Sequence, residues 1–325
     1  MANITLPENK KKEIIQSFII TTARYKFSVY EKRILSLIIS SLQPQLEGKH
    51  LRGVIERDLF GDLRCEFPLK YICEDDKNYA PYIQAFDSLL GKKIRYQLDD
   101  DTLKMCTIIQ DIEIKKRSGI VKFSLAKTIA DLFLNFTKGY SKYVLDISLK
   151  LRSVASARMY ELISNQSKPL TYNIDTLKQL FEVEKTYSRT SNFIQRVIEP
   201  ARKELDEKGN WTFEYIPIKK GNKYTHITLI PKHLRHREPD EVQEQEKNWK
   251  LHPYLPTSIK QFLRHTCGFH DHRINQNEKK LVAFMHIHGN QTLSVLQEYW
   301  ERCLYKNDAQ TYLLGIIKNE TKTTN

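Results

Sequence analysis

Polar and apolar positions along the chain run through helical and then strand spacing twice, in the same order, before the last quarter turns wholly helical. Ser28-Val-Tyr-Glu31 has the spacing of a capping box, serine first and glutamate three residues on. It stands directly before Ile34, Leu35, Leu37, Ile38, Ile39 and Leu42. These positions predict a core helix. A second helical repeat, with Tyr82, Ala85, Phe86, Leu89 and Leu90, covers about residues 79–90 and stops at Gly91. Strands are predicted after it. Ile94, Tyr96 and Leu98 alternate, Asp99-Asp100-Asp101 turns the chain, and 108–114 is rich in β-branched residues. Past Lys115-Lys116-Arg117-Ser118-Gly119, the chain returns through 120–125.

The middle of the chain repeats this order. Helical spacing covers 154–164 and 175–181, and a long helix is expected from near Ser188 or Ser191 to Glu207, stopped by Gly209-Asn210. Trp211, Phe213 and Tyr215 then alternate as a strand, Lys219-Lys220-Gly221-Asn222-Lys223 makes a turn, and 224–230 forms the return strand. Helices followed by a basic-tipped hairpin are the parts of a winged helix-turn-helix, in which one helix enters the major groove and the hairpin lies on the flanking backbone. The expected fold class is α+β: two tandem winged-helix domains, each a helix-turn-helix plus a β-hairpin wing, followed by a small helical C-terminal module. The expected limits are 1–147, 148–237 and 238–325. The last part opens on a polar, acidic run from Glu238 to Lys247, read as a linker or a solvated helix. Helical segments follow near 259–263, 281–287, 293–304 and 311–318, and the tail from Asn319 is expected to fray.

Length and composition confine the class. At 325 residues, with 40% hydrophobic and 28% charged, the chain has material for two or three ordinary cores, which excludes wholesale disorder and fibrous or coiled-coil architectures. No apolar run approaches the roughly 18 residues of a membrane span, since Ser36, Ser40 and Ser41 interrupt the longest one. Lys10-Lys11-Lys12 has no apolar stretch behind it, so a bacterial cytoplasmic location without membrane association is expected. Cys65, Cys73, Cys106, Cys267 and Cys303 are scattered and odd in number, which fits reduced structural thiols. No phosphate-binding glycine loop, nucleophile elbow or zinc-protease motif occurs, so no cofactor and no self-contained ATPase is expected.

Charge adds a direction. The net charge is +13, and it is unevenly spread. Residues 148–237 hold 17 basic against 9 acidic residues, a surplus of +8; residues 1–147 carry +5, and 238–325 balance at zero. So dense a surplus points to a polyanion, and nucleic acid is the commonest one in a cytoplasm.

The long helix of the middle segment gives that charge a geometry. At about 100° per residue, Phe193, Ile194, Val197, Ile198, Ala201 and Leu205 share one face, and Arg189, Asn192, Arg196 and Lys203 cluster opposite. Arginine and asparagine read guanine and adenine bidentately, while Ser188, Thr190 and Ser191 at the helix start can hold phosphate. Pro200 is expected to kink or locally break this helix. Lys219, Lys220 and Lys223 on one hairpin tip, and Lys115, Lys116 and Arg117 on the other, would neutralise phosphates. Nine of the ten histidines lie between His226 and His288 without finger-type spacing, so no metal site is expected. His286-Ile-His288 has the His-hydrophobe-His form of metal-dependent tyrosine nucleases, with Tyr299, Tyr305 and Tyr312 downstream. Such nucleases hold the pair on a strand, and this segment leans helical.

Three stretches together resemble the plasmid replication initiators of the RepA/RepE/Pi type. They are Lys26-Phe-Ser-Val-Tyr-Glu-Lys-Arg-Ile-Leu35 within Asn3 to Leu42; Ala157-Arg-Met-Tyr-Glu-Leu-Ile163; and Tyr187-Ser-Arg-Thr-Ser-Asn-Phe-Ile-Gln-Arg-Val-Ile198 with the basic hairpin behind it. The resemblance covers about residues 1–235. It implies a non-enzymatic protein of two winged-helix domains that binds double-stranded origin repeats (iterons) as a monomer in equilibrium with a homodimer. It implies host partners too, a replication initiator and the replicative helicase. Arg189, Gln195 and Arg196 match the family's major-groove helix, and Lys92, Lys93 and Lys115 to Arg117 stand where the first domain, through which many members also dimerise, would meet the DNA backbone. Pro200 and residues 238–325 depart from the pattern, and the role of the latter is left open. The other readings of the same residues are a winged-helix transcriptional repressor and the tyrosine nuclease.

Overall fold

The computed structural model describes residues 13–46, 55–73, 78–97, 101–115, 117–134, 140–221, 223–240, 242–244, 255–289 and 292–323. The chain opens with β1 (Glu13–Ser17), a short α1 (Phe18–Thr22) and the long α2 (Val29–Leu46). The capping box forms reciprocally. The Ser28 N–H donates to Glu31 Oε2 at 2.5 Å, and the Glu31 N–H donates to Ser28 Oγ at 3.3 Å. All six apolar positions predicted for this helix are buried.

The remainder of the first unit is more strand-rich than its periodicity implies. β2 (Ile55–Arg57) and β3 (Leu63–Pro68) precede α3 (Leu69–Ile72) and α4 (Ala80–Leu90), and β4 (Lys93–Gln97), β5 (Leu103–Thr107), β6 (Gln110–Lys115) and β7 (Ile120–Leu125) follow. Two hairpins, rather than one, come after α4. β4 and β5 form a separate two-stranded ribbon, whereas the basic-tipped hairpin β6–β7 completes an antiparallel sheet of order β2-β3-β7-β6. Its tip is tied down, with the Leu69 N–H donating to the Gly119 carbonyl at 2.6 Å. α5 (Lys127–Phe133), β8 (Tyr140–Val144) and α6 (Leu145–Lys150) close the unit, and β8 pairs antiparallel with β1.

The second unit runs helix, strand, helix, helix, strand, strand. α7 (Val154–Ile163) is capped by Ser153 Oγ, which accepts the Ser156 N–H at 2.9 Å, and is followed by β9 (Leu170–Asn173) and α8 (Ile174–Leu180). The next helix comes in three sections: α9 (Thr190–Phe193), a π turn over Ile194–Ile198, and α10 (Glu199–Lys208). β10 (Trp211–Lys220) and β11 (Lys223–His233) form the wing, in a sheet of order β10-β11-β9. Gly209 makes the tight exit from α10. A Cβ there would meet the Trp211 carbonyl oxygen at 2.6 Å and that of Leu205 at 2.9 Å, so only glycine fits.

α7 joins the two units. Every residue from Ser156 to Ile163 is buried, and the helix packs on α1, α2 and β8 on one side and on α10 and β10 on the other. A single apolar core therefore runs from Ile14 to Val242. A second core belongs to the final helices, α11 (Thr257–Gln261) continuing as a π turn over Phe262–Thr266, α12 (Asp271–His288), α13 (Thr292–Cys303) and α14 (Ala309–Thr323); Ile15, Leu134 and Tyr140 pack against it.

Two expectations change at this end of the chain. The acidic run does not begin as a solvated linker: Glu238 is buried, accepts from Asn210 Nδ2 at 3.1 Å and pairs with His233, while Val242 enters the main core. Residues 245–254, the rest of that run among them, lie outside the described residues. The tail also stays helical as far as Thr323, because Leu313 and Ile317 anchor α14 in the second core. No described helix is long and apolar enough to cross a membrane.

Candidate nucleic-acid interface

The helix of residues 190–208 is amphipathic as its sequence predicts. Phe193, Val197, Ile198, Ala201 and Leu205 are buried, while Arg189, Ser191, Asn192, Gln195, Arg196 and Lys203 are exposed. Pro200 does not break it. Proline removes one N–H and crowds the carbonyl four residues back; the turn before it absorbs both effects by widening to π geometry, with Ile198 (φ −70°, ψ −51°) and Glu199 (φ −66°, ψ −43°) still helical. The extra residue in that turn changes the angular offset of Lys203 from Arg196, so the two do not sit at simple α-helical spacing.

Some side chains on this face are free and others are fully engaged. Arg189, Asn192, Gln195 and Arg196 have no hydrogen-bond or ion-pair partner among the described residues. Arg202, one position from Lys203, is held by Glu199 at 2.8 Å and Asp206 at 2.6 Å. No side chain caps the first turn at Thr190, which leaves its N–H groups directed outward, as phosphate binding needs. Ser188 is exposed, and its carbonyl accepts from the buried Lys178 ammonium at 3.0 Å, which fixes where the helix begins.

The wing is bound to this helix rather than hinged on it. The Tyr215 hydroxyl donates to Glu199 Oε2 at 3.1 Å, and the Thr212 hydroxyl donates to Asp206 Oδ1. Arg202 holds the Glu199 carboxyl below its ordinary range, chiefly by its hydrogen bond, so the anchor stays charged. Lys219, Lys220 and Lys223 are all exposed at the wing tip.

The first unit supplies a different surface. Lys26, Lys92, Lys93 and Arg95 line a cleft of about 630 Å³ that reaches Glu182 of the second unit, 3.4 Å from Arg95. Nothing in the sequence marks Lys26 and Arg95 as site residues, since they meet only when the β4 ribbon folds back beside the α2 capping box. Lys93 is exposed. Lys92 is committed elsewhere: its ammonium lies 2.6 Å from the buried Glu31 carboxylate and 5.7 Å from the Phe27 ring centroid. Burial alone would raise the Glu31 pKa, but the Lys92 ammonium and the Ser28 N–H outweigh it and hold the carboxyl below its ordinary 4.5. Lys92→Ala is therefore expected to cost about 1–3 kcal/mol of stability. A depressed carboxyl stabilises above its unfolded pKa and loses that contribution as pH falls through the folded value. Melting curves of wild type should thus decline below pH 4.5 more steeply than those of the variant. On the β6–β7 hairpin, Lys115 and Arg117 are exposed and Lys115 lies 3.7 Å from Glu113; Lys116 lies outside the described residues.

The histidine pair lies on a helix and not on a strand. On α12, residues two apart point about 200° away from each other, so His286 and His288 diverge where strand neighbours would converge. His288 instead sits 3.3 Å from Glu320, which also accepts the Tyr299 hydroxyl at 2.7 Å; that hydrogen bond pushes the phenol pKa up, opposite to what a nucleophile needs. Tyr305 and Tyr312 are exposed on the same module. Among the described residues no group of three or more His, Cys, Asp or Glu could hold a metal ion.

An outer helix face of unpaired hydrogen-bonding groups, held at a fixed offset from a lysine-tipped hairpin, is how winged-helix proteins read a duplex; by fold and site this is a winged-helix DNA-binding protein. Its relatives narrow the class. The initiator replication protein WH1 model matches residues 13–164, and the initiator Rep protein WH2 model matches residues 173–230. The chain belongs to the initiator Rep proteins. The first match takes in α7, which the charge division places with the second segment, in keeping with a helix buried between both. A solved structure, that of the Pi initiator protein in complex with iteron DNA, is similar over 68% of this chain and 97% of its own, with a TM-score of 0.51 and 18% identity, a likeness of fold.

Proposed function

We propose that this protein starts replication of a plasmid by binding directly repeated sequences in its origin, reading each repeat through Arg189, Asn192, Gln195 and Arg196 in the major groove while the 219–223 wing tip and the Lys26–Lys93–Arg95 cleft hold the backbone. The observation that carries the reading is the unpaired face of the 190–208 helix, beside which even Arg202 is saturated by carboxylates. Residues 13–164 then serve backbone contact and self-association in a monomer–dimer equilibrium, and residues 173–230 serve recognition. Residues 238–325, whose charges balance at zero, are left for contacts other than DNA. Host initiator and helicase load on the opened origin, in the bacterial cytoplasm, and no strand is cut.

Footprinting on the DNA flanking the gene tests this. Protection should fall on tandem repeats of about 20 base pairs, roughly two helical turns, each read on one face. Protection confined to a single inverted repeat would support a repressor instead. In the same preparation, supercoiled origin DNA with magnesium or manganese should stay covalently closed; nicking abolished by His286→Ala would return the nuclease reading.

A further inference from the structure

α8 ends in a Schellman motif. The Val183 N–H donates to the Lys178 carbonyl and the Glu182 N–H to that of Gln179, both at 3.0 Å, which puts Glu182 at the position past the helix end that is usually glycine. Its φ is +53°, a left-handed conformation in which a Cβ crowds the following carbonyl. Among the described residues the other non-glycine positions with positive φ are Asp111 and Asn165, whose short polar side chains tolerate it. Glutamate gains nothing locally from that backbone, so the reason for it lies in what its carboxylate touches. The carboxylate faces the basic cleft. Among the described residues lining that cleft it is the single acid, beside Lys26, Lys92, Lys93 and Arg95, and it lies 3.4 Å from the Arg95 guanidinium. Arg95 stands on β4, where its backbone pairs with that of Arg24; the Arg24 guanidinium donates to Gln179 Oε1 at 2.6 Å, so two neighbouring arginines of the first unit both reach the end of α8. Lys92 is held by Glu31, which leaves Lys26, Lys93 and Arg95 to meet a phosphate, and Arg95 is already matched with a carboxylate. Arg95 is 48% exposed and Glu182 25%, and an ion pair so open to solvent is weak enough for a phosphate to displace.

We propose that Glu182 is a built-in competitor for the DNA backbone: its carboxylate occupies Arg95 in the free protein, and a phosphate entering the cleft must displace it. The inference rests on the reading of the cleft as a backbone contact and adds the residue that limits that contact. Phosphate contacts supply the sequence-independent part of DNA affinity. Seating a phosphate on Arg95 breaks the Arg95–Glu182 pair, so Glu182 lowers the affinity for every sequence and leaves binding to depend more on the base contacts of the 190–208 helix.

The experiment uses the full chain and a duplex of mixed sequence without the origin repeats, titrated by fluorescence anisotropy at several salt concentrations. Glu182→Gln is expected to bind about two- to fivefold tighter at low salt, with a slope of log K against log salt steeper by about one, because Arg95 is released to neutralise a further phosphate. Glu182→Gly, which also suits the left-handed backbone, should bind as Glu182→Gln does and melt no lower than wild type. Arg95→Gln/Glu182→Gln should bind like wild type, since the gain passes through Arg95. Glu298→Gln makes the same change of net charge on the C-terminal module, where the carboxylate pairs with Arg302, and should leave affinity and slope as they are. Unchanged binding by Glu182→Gln, an equal gain from Glu298→Gln, or a double variant that keeps the whole gain overturns the competitor. Lys93→Ala tests the cleft separately and should lower the slope by about one. If that slope holds, the backbone reading of the cleft fails and the competitor falls with it; a normal loss in Lys93→Ala beside an unchanged Glu182→Gln overturns the competitor alone.

Discussion

Replacing Glu161 with alanine should destabilise the protein by about 3–5 kcal/mol, the cost of removing one partner from a buried ion pair. The Glu161 side chain is wholly buried on α7 and pairs with Lys32 of α2, itself 2% exposed; one turn away Arg158, 1% exposed, holds the Thr21 and Ala23 carbonyls at 3.2 and 2.7 Å and lies 3.9 Å from the Tyr25 ring centroid. Burial alone would drive the Lys32 pKa down, and the adjacent Glu161 charge reverses that, so without the carboxylate two cations would share one apolar seam. In thermal unfolding the loss should appear as a fall in Tm of roughly 10 °C for units of this size. Glu161→Gln should lose nearly as much, because the charge and not the volume is at issue. Lys32→Met/Glu161→Leu should recover much of it, since an apolar pair of similar size needs no compensation. If Glu161→Ala and the double variant melt together, the pair is not what holds α7 in place. These charges sit where the first unit meets the second, so the same change should loosen one unit from the other and weaken DNA binding without altering any residue that touches the duplex.

That seam is not legible in the sequence, and the reason is physical. Periodicity locates α7 from Val154, Ala157, Met159, Tyr160 and Ile163, and the same rule assigns Arg158 and Glu161 to solvent. Only a partner 129 residues away in the chain, Lys32, makes burial of Glu161 tolerable, and no local pattern shows such a partner. Lys92 reads as a DNA contact for a similar reason, its Glu31 partner being 61 residues distant. The second unit is legible because its elements are long: a helix of 190–208 and strands of 10 and 11 residues display their periods several times over. In the first unit β2 has three residues, α3 four and α1 five, too few to show any period. The β6–β7 tip, basic like that of the β10–β11 wing, lies in a four-stranded sheet, and the Leu69 N–H of α3 donates to its Gly119 carbonyl, a tie that no local pattern displays.

Within the proposed interface, Arg196→Ala and Lys220→Ala should fail in different ways. Arg196 projects from the middle of the recognition helix without a protein partner among the described residues, so its guanidinium is available for the bidentate geometry of a guanine edge. Its removal should cost about 1–3 kcal/mol on the cognate repeat, roughly 5- to 150-fold in Kd, and very little on unrelated DNA, so that discrimination collapses while the salt dependence holds. Lys220 stands at the exposed tip of the wing and offers a point charge. Its removal should weaken every sequence alike and reduce the slope of log K against log salt by about one, as expected when one fewer phosphate is neutralised. Arg189→Ala, at the uncapped start of the helix, should follow Arg196 if it reads a base; a drop in salt slope would move it to the phosphates that the first-turn N–H groups face. The comparison needs one cognate and one scrambled duplex, each titrated at several salt concentrations. Identical behaviour of Arg196→Ala and Lys220→Ala would mean that the 190–208 helix lies along the backbone, and that the base-reading surface of this protein is elsewhere.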